Sequence, residues 1–159
     1  MGTLGALVVI DVQRGGPSTG LPTDVEQSDL NIALYGGHGD SPRVVLAASD
    51  VEDCFYTAIE AVNIARKYSV PVFLLSDQAI ATRIEAFNEP DLKTICKNVE
   101  LDLSPVPSHK PYDLSSGDGP SQHRAPGTRI EDGRYPVVTG LEHDEWGHPS
   151  GDAANHIAM

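Results

Sequence analysis

The chain has 159 residues, 40% apolar and 21% charged, which fits one folded domain with a real core rather than a disordered polymer. A net charge of −12, with only 11 Lys and Arg scattered along the chain, argues against general nucleic-acid binding, because neutralising phosphates takes clustered cations. No apolar run approaches the roughly 20 residues that span a bilayer, and the N-terminus lacks a signal-peptide pattern, so the expectation is a cytoplasmic protein without a membrane partner.

Residues 6–12 are apolar and rich in β-branched side chains, the pattern of a buried parallel strand. Directly after them comes Gln13-Arg14-Gly15-Gly16-Pro17-Ser18-Thr19-Gly20-Leu21-Pro22-Thr23, the most informative segment of the chain. A strand running into a glycine-rich loop is how α/β proteins build anion sites at strand ends. Gly15, Gly16 and Gly20 are conformationally permissive and Pro17 and Pro22 fix their own φ, so main-chain N–H groups are expected to approach a ligand closely. Arg14 adds a planar fork suited to a carboxylate or phosphate.

After this loop, Thr23 or Asp24 is positioned to cap a helix to about residue 35, closed by Gly36-Gly37. Residues 44–48 read as a second strand. Ser49-Asp50-Val51-Glu52 has capping-box form and opens the strongest helix, to about residue 68, with Phe55, Ala58, Ile59, Val62 and Ala65 forming its core face. Residues 70–75 read as a third strand ending at Ser76-Asp77, and a further helix is expected over about 78–87. This alternation predicts an α/β fold, a partial doubly wound parallel sheet covered by helices. Beyond about Glu100 the order breaks: Pro105, Pro107, Pro111, Pro120, Pro126, Pro136 and Pro149 interrupt any long helix, and residues 101–159 are expected to form an irregular Pro/Gly-rich docking or linker tail. Three strands are few for an open sheet, so residues 1–100 read as part of an α/β domain.

Several chemical readings compete for these residues. Gly15 and Gly20 have the spacing of a nucleotide-phosphate loop, but Leu21-Pro22 stand where its Lys and Ser/Thr belong, and no GxGxxG is present. A purely structural turn is the plainer alternative. Against it stand Arg14 at the strand's C-terminal end, where open sheets place ligands, and Thr23, which a folded loop can return to Arg14. Guanidinium and hydroxyl together suit a small carboxylate. His143, His148 and His156 lie near Asp144, Glu145 and Asp152, but without a metal-ligand spacing they read as hydrogen-bonded loop residues, and no metal site is expected. Cys54 and Cys96 lack CxxC spacing and read as packing thiols, Asp77 has no identifiable partner, and residues 115–119 read as a flexible loop.

The strand with QRGGPSTGLPT, then EQSDL and LYGGHGD, resembles the α subunit of 2-oxoacid:ferredoxin oxidoreductases, particularly the 2-oxoglutarate type. The likeness continues through Ala48-Ser49-Asp50-Val51-Glu52-Asp53-Cys54-Phe55, Lys67-Tyr68, residues 71–77, Pro111-Tyr112-Asp113 and the VTGLEHDEWGH segment at 138–148. It implies the C-terminal part of a pyrimidine-binding domain of the thiamine diphosphate-binding fold. The implied activity is CoA-dependent oxidative decarboxylation of a 2-oxoacid to an acyl-CoA, with electrons passed to ferredoxin. Thiamine diphosphate and Mg²⁺ are then held mainly by a β subunit, with an iron–sulfur cluster in the complex but not on this chain. The arginine and threonine associated with carboxylate binding fall on Arg14 and Thr23, with Gly15, Gly16, Ser18 and Thr19 shaping the pocket and no catalytic residue on the chain. The family's upstream YPITP-type segment and cofactor-contacting glutamate have no counterpart here, so the resemblance implies a central fragment of the subunit that is inactive alone. Two rival readings follow: a non-catalytic assembly module derived from that subunit, and an unrelated phosphate-binding α/β protein.

Overall fold

The computed structural model describes residues 7–39, 41–95, 108, 110–113, 115, 128–133, 137 and 139–158. Cys96, residues 116–119 and prolines 105, 107, 120, 126 and 136 lie outside them. The chain divides into two compact units, Ala6–Arg66 with Val70–Asn98, and Met1–Gly5 with Lys67–Ser69 and Val99–Met159.

The first unit is a parallel sheet of β1 (Val8–Gln13), β2 (Val44–Ala47) and β3 (Val72–Asp77) in the order β1-β3-β2. Helices α1 (Asp29–Tyr35) and α2 (Val51–Tyr68) form the crossovers. The chain steps past β3 to reach β2 and then steps back. Right-handed crossovers in opposite directions put their helices on opposite faces. The central strand shows the consequence: Val72 and Leu74 on one face and Leu75 on the other are all buried. A strand covered on both sides needs the unbroken apolar run that Val72-Phe73-Leu74-Leu75 provides.

The face of α2 that meets the sheet is Thr57, Ala61 and Ala65, spaced one turn apart. Ala61 and Ala65 pack with Val72, flanked by Val8, Val44, Leu46 and Ile64. This corrects the expected core face in part: Ala65 is on it, but Phe55, Ala58 and Ile59 are half-buried and Val62 is exposed. The reason is size. Alanines let the helix axis come close to the sheet, and the larger side chains are displaced to its flanks.

The start of α2 also differs from the expected Ser49/Glu52 box by one residue. Asp53 N donates to Asp50 Oδ1 at 2.8 Å, while Asp53 Oδ2 accepts from Ser49 N at 2.9 Å. A third carboxylate joins from afar, Glu85 Oε2 accepting from Val51 N at 3.2 Å. That contact explains why α3 (Gln78–Thr82) stops short of the expected residue 87. Arg83 is already extended, and residues 83–85 cross the start of α2, with Arg83 paired to Glu85. At the other end of α3, Asp77 has a partner that sequence did not show: Oδ1 accepts from Ile80 N at 2.9 Å and caps the helix.

In the second unit the described tail is organised by Asp144. Its Oδ1 accepts from Trp146 N and His148 N, both at 2.9 Å, and its own N donates to His148 O at 3.0 Å. Gly147, at φ 82, occupies the left-handed position this turn requires. Tyr112 is bound beneath it, with its ring 3.7 Å from His143 and its N donating to Glu145 O at 3.2 Å. Lys110 Nζ pairs with Glu145 at 2.8 Å. Short helices α4 (Leu92–Ile95), in the first unit, and α5 (Ala153–Ala158), in the second, complete the described elements, and α5 is a piece of regular structure not expected of the tail.

The Ser49 N–H holds the Asp53 carboxyl below its ordinary pKa, against a smaller opposing effect of burial. A folded pKa below the unfolded one contributes stability that is complete above about pH 4 and is lost as pH falls through the folded value. Asp53→Ala is expected to destabilise the chain by about 1 kcal/mol at pH 7. The deficit relative to wild type should shrink below pH 4, measured by thermal unfolding followed by circular dichroism.

Candidate functional site

The loop after β1 is a closed ring rather than an open cradle. Gly15 N donates to Asp24 O at 2.9 Å, Leu21 N to Gly15 O at 3.1 Å, and Gly20 N to Pro17 O at 2.9 Å. Asp24 N returns to Leu21 O at 3.2 Å, and Gly16 N donates to Glu26 Oε2 at 3.3 Å. The expectation that the glycine amides turn towards a ligand is corrected by this pattern. The N–H groups of Gly15, Gly16 and Gly20 are all spent inside the loop. The Gly16–Pro17 peptide is cis and Ser18 has φ 56.

The glycines have a steric role instead. A Cβ on Gly20 would stand 2.6 Å from Gly16 O, and one on Gly15 would stand 2.6 Å from Leu21 Cβ. The same closure explains why α1 begins at Asp29 and not at Thr23 or Asp24. Asp24 and Glu26 are committed to the loop, and the helix starts after them, at Ser28, without a side-chain cap.

Closure also fixes where the expected binding residues stand. Arg14 is half-buried at the base of the ring, with one terminal N–H donating to Ser18 O at 3.2 Å. Gly15 follows Arg14 and Asp24 follows Thr23, so the Gly15–Asp24 hydrogen bond returns Thr23 to the neighbourhood of Arg14. Ser18, Thr19 and Thr23 are exposed, and their hydroxyls bond to no described residue. The loop thus presents hydroxyls and the remaining guanidinium N–H groups at the C-terminal end of β1.

Two further groups at this end were missed from sequence. Gln13 is buried, and its Nε2 has no hydrogen-bond partner among the described residues. A buried donor left unmade costs about 1–3 kcal/mol. Nothing in a lone Gln at a strand end signals this, because it depends on how the rest of the fold packs around it. Asp11, on the same face of β1, has its carboxyl pushed above the ordinary value by burial and secondarily by Asp29 at the start of α1.

Elsewhere at this edge of the sheet, a groove of about 480 Å³ after β2 is lined by Ser49, Asp50, Glu52, Arg83, Glu85 and Phe87. Most of its charges serve the α2 cap and the Arg83–Glu85 pair. Among the described residues no group of three or more His, Cys, Asp or Glu is placed to hold a metal ion. Nor is any described helix long and apolar enough to cross a membrane.

The profile of a family described as pyruvate flavodoxin/ferredoxin oxidoreductase, thiamine diphosphate-binding, matches residues 1–159. Subunit KorA of 2-oxoglutarate oxidoreductase from Mycobacterium tuberculosis is 43% identical over 152 residues, covering 96% of this chain and 22% of that one. Subunit KorA of 2-oxoglutarate synthase from Methanothermobacter marburgensis is 42% identical over 149 residues, covering 94% of this chain and 38% of that one. A solved structure of 2-oxoglutarate:ferredoxin oxidoreductase from Magnetococcus marinus, with 2-oxoglutarate, coenzyme A and succinyl-CoA bound, superposes with a TM-score of 0.77 at 40% identity. It covers 94% of this chain and 26% of that one, so the chain spans between about a fifth and two-fifths of the length of these relatives.

Because Gly20 leaves no room for a methyl group, Gly20→Ala should force the ring open at the Gly15–Leu21 closure. Amide hydrogen exchange at Gly15 and Leu21 is expected to accelerate about tenfold or more while α2 amides keep their rates. Unchanged exchange in the loop would show that the ring does not depend on that glycine.

Proposed function

This chain belongs to the pyruvate flavodoxin/ferredoxin oxidoreductase thiamine diphosphate-binding family, and on that premise we propose that it works within a 2-oxoglutarate:ferredoxin oxidoreductase, as α-subunit sequence. The observation that carries this reading is the loop at the end of β1, with Arg14 at its base, in a chain 43% identical to a 2-oxoglutarate oxidoreductase subunit.

The reaction removes the carboxyl carbon of the 2-oxoacid as CO₂, joins the remaining acyl group to the sulfur of CoA, and passes the released electron pair to ferredoxin. Thiamine diphosphate, when bound, supplies the electron sink that decarboxylation of a 2-oxoacid needs. Arg14 binds the substrate carboxylate through its free N–H groups, a charge-assisted contact whose planar fork matches the anion. Thr23 adds a hydroxyl donor, and Ser18 and Thr19 offer two more. Gly15 and Gly16 frame the pocket through the closed ring, so the donors are positioned before the substrate arrives. That preorganisation avoids ordering the loop at the moment of binding.

On the same family membership, we assign Mg²⁺ and most of the cofactor's contacts to a β subunit, and the iron–sulfur relay to ferredoxin to other parts of the complex. The sheet is read as part of the doubly wound pyrimidine-binding domain, residues 1–100, with 101–159 as an irregular docking or linker segment. A cytoplasmic setting suits the free thiol of Cys54, and the charge of −12 does not suit a nucleic acid.

The decisive test is Arg14→Ala in the assembled enzyme, with 2-oxoglutarate varied at saturating CoA. KM for 2-oxoglutarate is expected to rise by about 10- to 100-fold, the worth of a charge-assisted contact. An unchanged KM would remove Arg14 from the substrate site.

A further inference from the structure

Gln13 is a buried residue at this end of the sheet whose chemistry remains unspent among the described residues. Its side chain is 5% exposed, yet Nε2 meets no acceptor. Acceptors stand close in the fold. Asp77 is its register partner on β3, and Asp11 lies on the same face of β1. Asp77 Oδ1 accepts from Ile80 N, while Asp11 is a desolvated carboxyl with a raised pKa, and neither is bonded to Gln13 Nε2. The amide is therefore held out of local hydrogen bonding in a place where an unmade bond destabilises the fold.

The position is informative as well. Gln13 is the last residue of β1, and the buried Gly15 begins the ring immediately beyond it. Strand residues alternate between faces, but outside the C-terminal end of a strand a ligand can meet side chains from both. Arg14, just past the strand, turns its guanidinium towards Ser18 in the loop. Gln13 is thus the neighbour of Arg14 in sequence, and its amide is a donor that lacks an acceptor among the described residues.

We infer that Gln13 is a second donor to the acid held by Arg14, its Nε2 giving a hydrogen bond to an oxygen of the 2-oxoacid end. The inference rests on the function proposed above. A neutral amide adds directionality without adding charge beside Asp11 and Asp77. A buried donor that is satisfied only by the right ligand rejects analogues lacking the acceptor, because they leave it unpaired.

The test uses the assembled complex freed of thiamine diphosphate, so that 2-oxoglutarate binds without turning over, with binding followed by calorimetry. Gln13→Met keeps length and burial but removes the donor. Its dissociation constant for 2-oxoglutarate should rise about tenfold or more, while the melting temperature of the ligand-free complex stays level or rises because the unmade donor is gone. Gln13→Glu keeps length and polarity but turns a negative group towards the anion, and binding should weaken further. Wild-type affinity in both variants, with binding lost in Arg14→Ala, would overturn the role of Gln13 and leave the acid-binding loop intact. Wild-type affinity in all three would defeat the loop's proposed function itself. A lower ligand-free melting temperature in Gln13→Met with affinity unchanged would make Gln13 a packing residue.

Discussion

The hydrogen bond from Gly15 N to Asp24 O, 2.9 Å long, is the constraint on which the end of the sheet depends. It closes residues 15–24 into a ring and commits the glycine amides to the ring's own frame. It also delays α1 to Asp29 and returns Thr23 towards Arg14. Once those amides are spent, the loop has no row of N–H groups to wrap around a phosphate, as a nucleotide loop does. What it can offer is a rigid rim carrying one cation and several hydroxyls.

The rim needs a firm base, which comes from the centre of the sheet. β3 is covered on both faces, and α2 lies close to it because Ala61 and Ala65 occupy the contact. The start of α2 is fixed by Asp50, Asp53 and Glu85 together. Since Glu85 comes from the segment after β3, the cap also links the C-terminal end of β3 to the beginning of α2. The loops at this edge are therefore anchored by strand register and by caps, and not by their own composition. Functional groups are placed most accurately on supports of that kind.

The elements were legible in sequence where one local signal dominated. The apolar runs gave the three strands, and the periodicity of α2 gave its span to Tyr68. Their meaning for packing was less legible. The contact face of α2 is set by how near the sheet can come, so alanines take places that a hydrophobicity pattern awards to Phe55, Ile59 and Val62. The α3 boundary was hidden because Glu85 is held by Val51, a partner 34 residues away. In the loop, residue types pointed to an anion site at the end of β1, a reading carried forward as a proposal, but the use made of the amides could not be read from them. Gln13 was invisible for the same reason: a polar residue becomes an unmet donor only through the burial that the fold imposes on it.

The charge balance of the rim bears on which anion it suits. Arg14 stands in a chain of net charge −12, and the ring itself includes Asp24 and draws in the carboxylate of Glu26. A single guanidinium so surrounded can match one carboxylate, with two parallel hydrogen bonds to its two oxygens. A diphosphate would bring several more negative charges against Asp24 and Glu26 without a second cation to meet them. On the proposed reading the division of labour follows from this balance. The small acid goes to the rim built by this chain, and the polyanionic part of the cofactor goes to a surface that can gather Mg²⁺. Neutral donors such as Thr23 and Gln13 then sharpen recognition, since they read the acid's oxygens without altering a charge balance that Arg14 alone has to set.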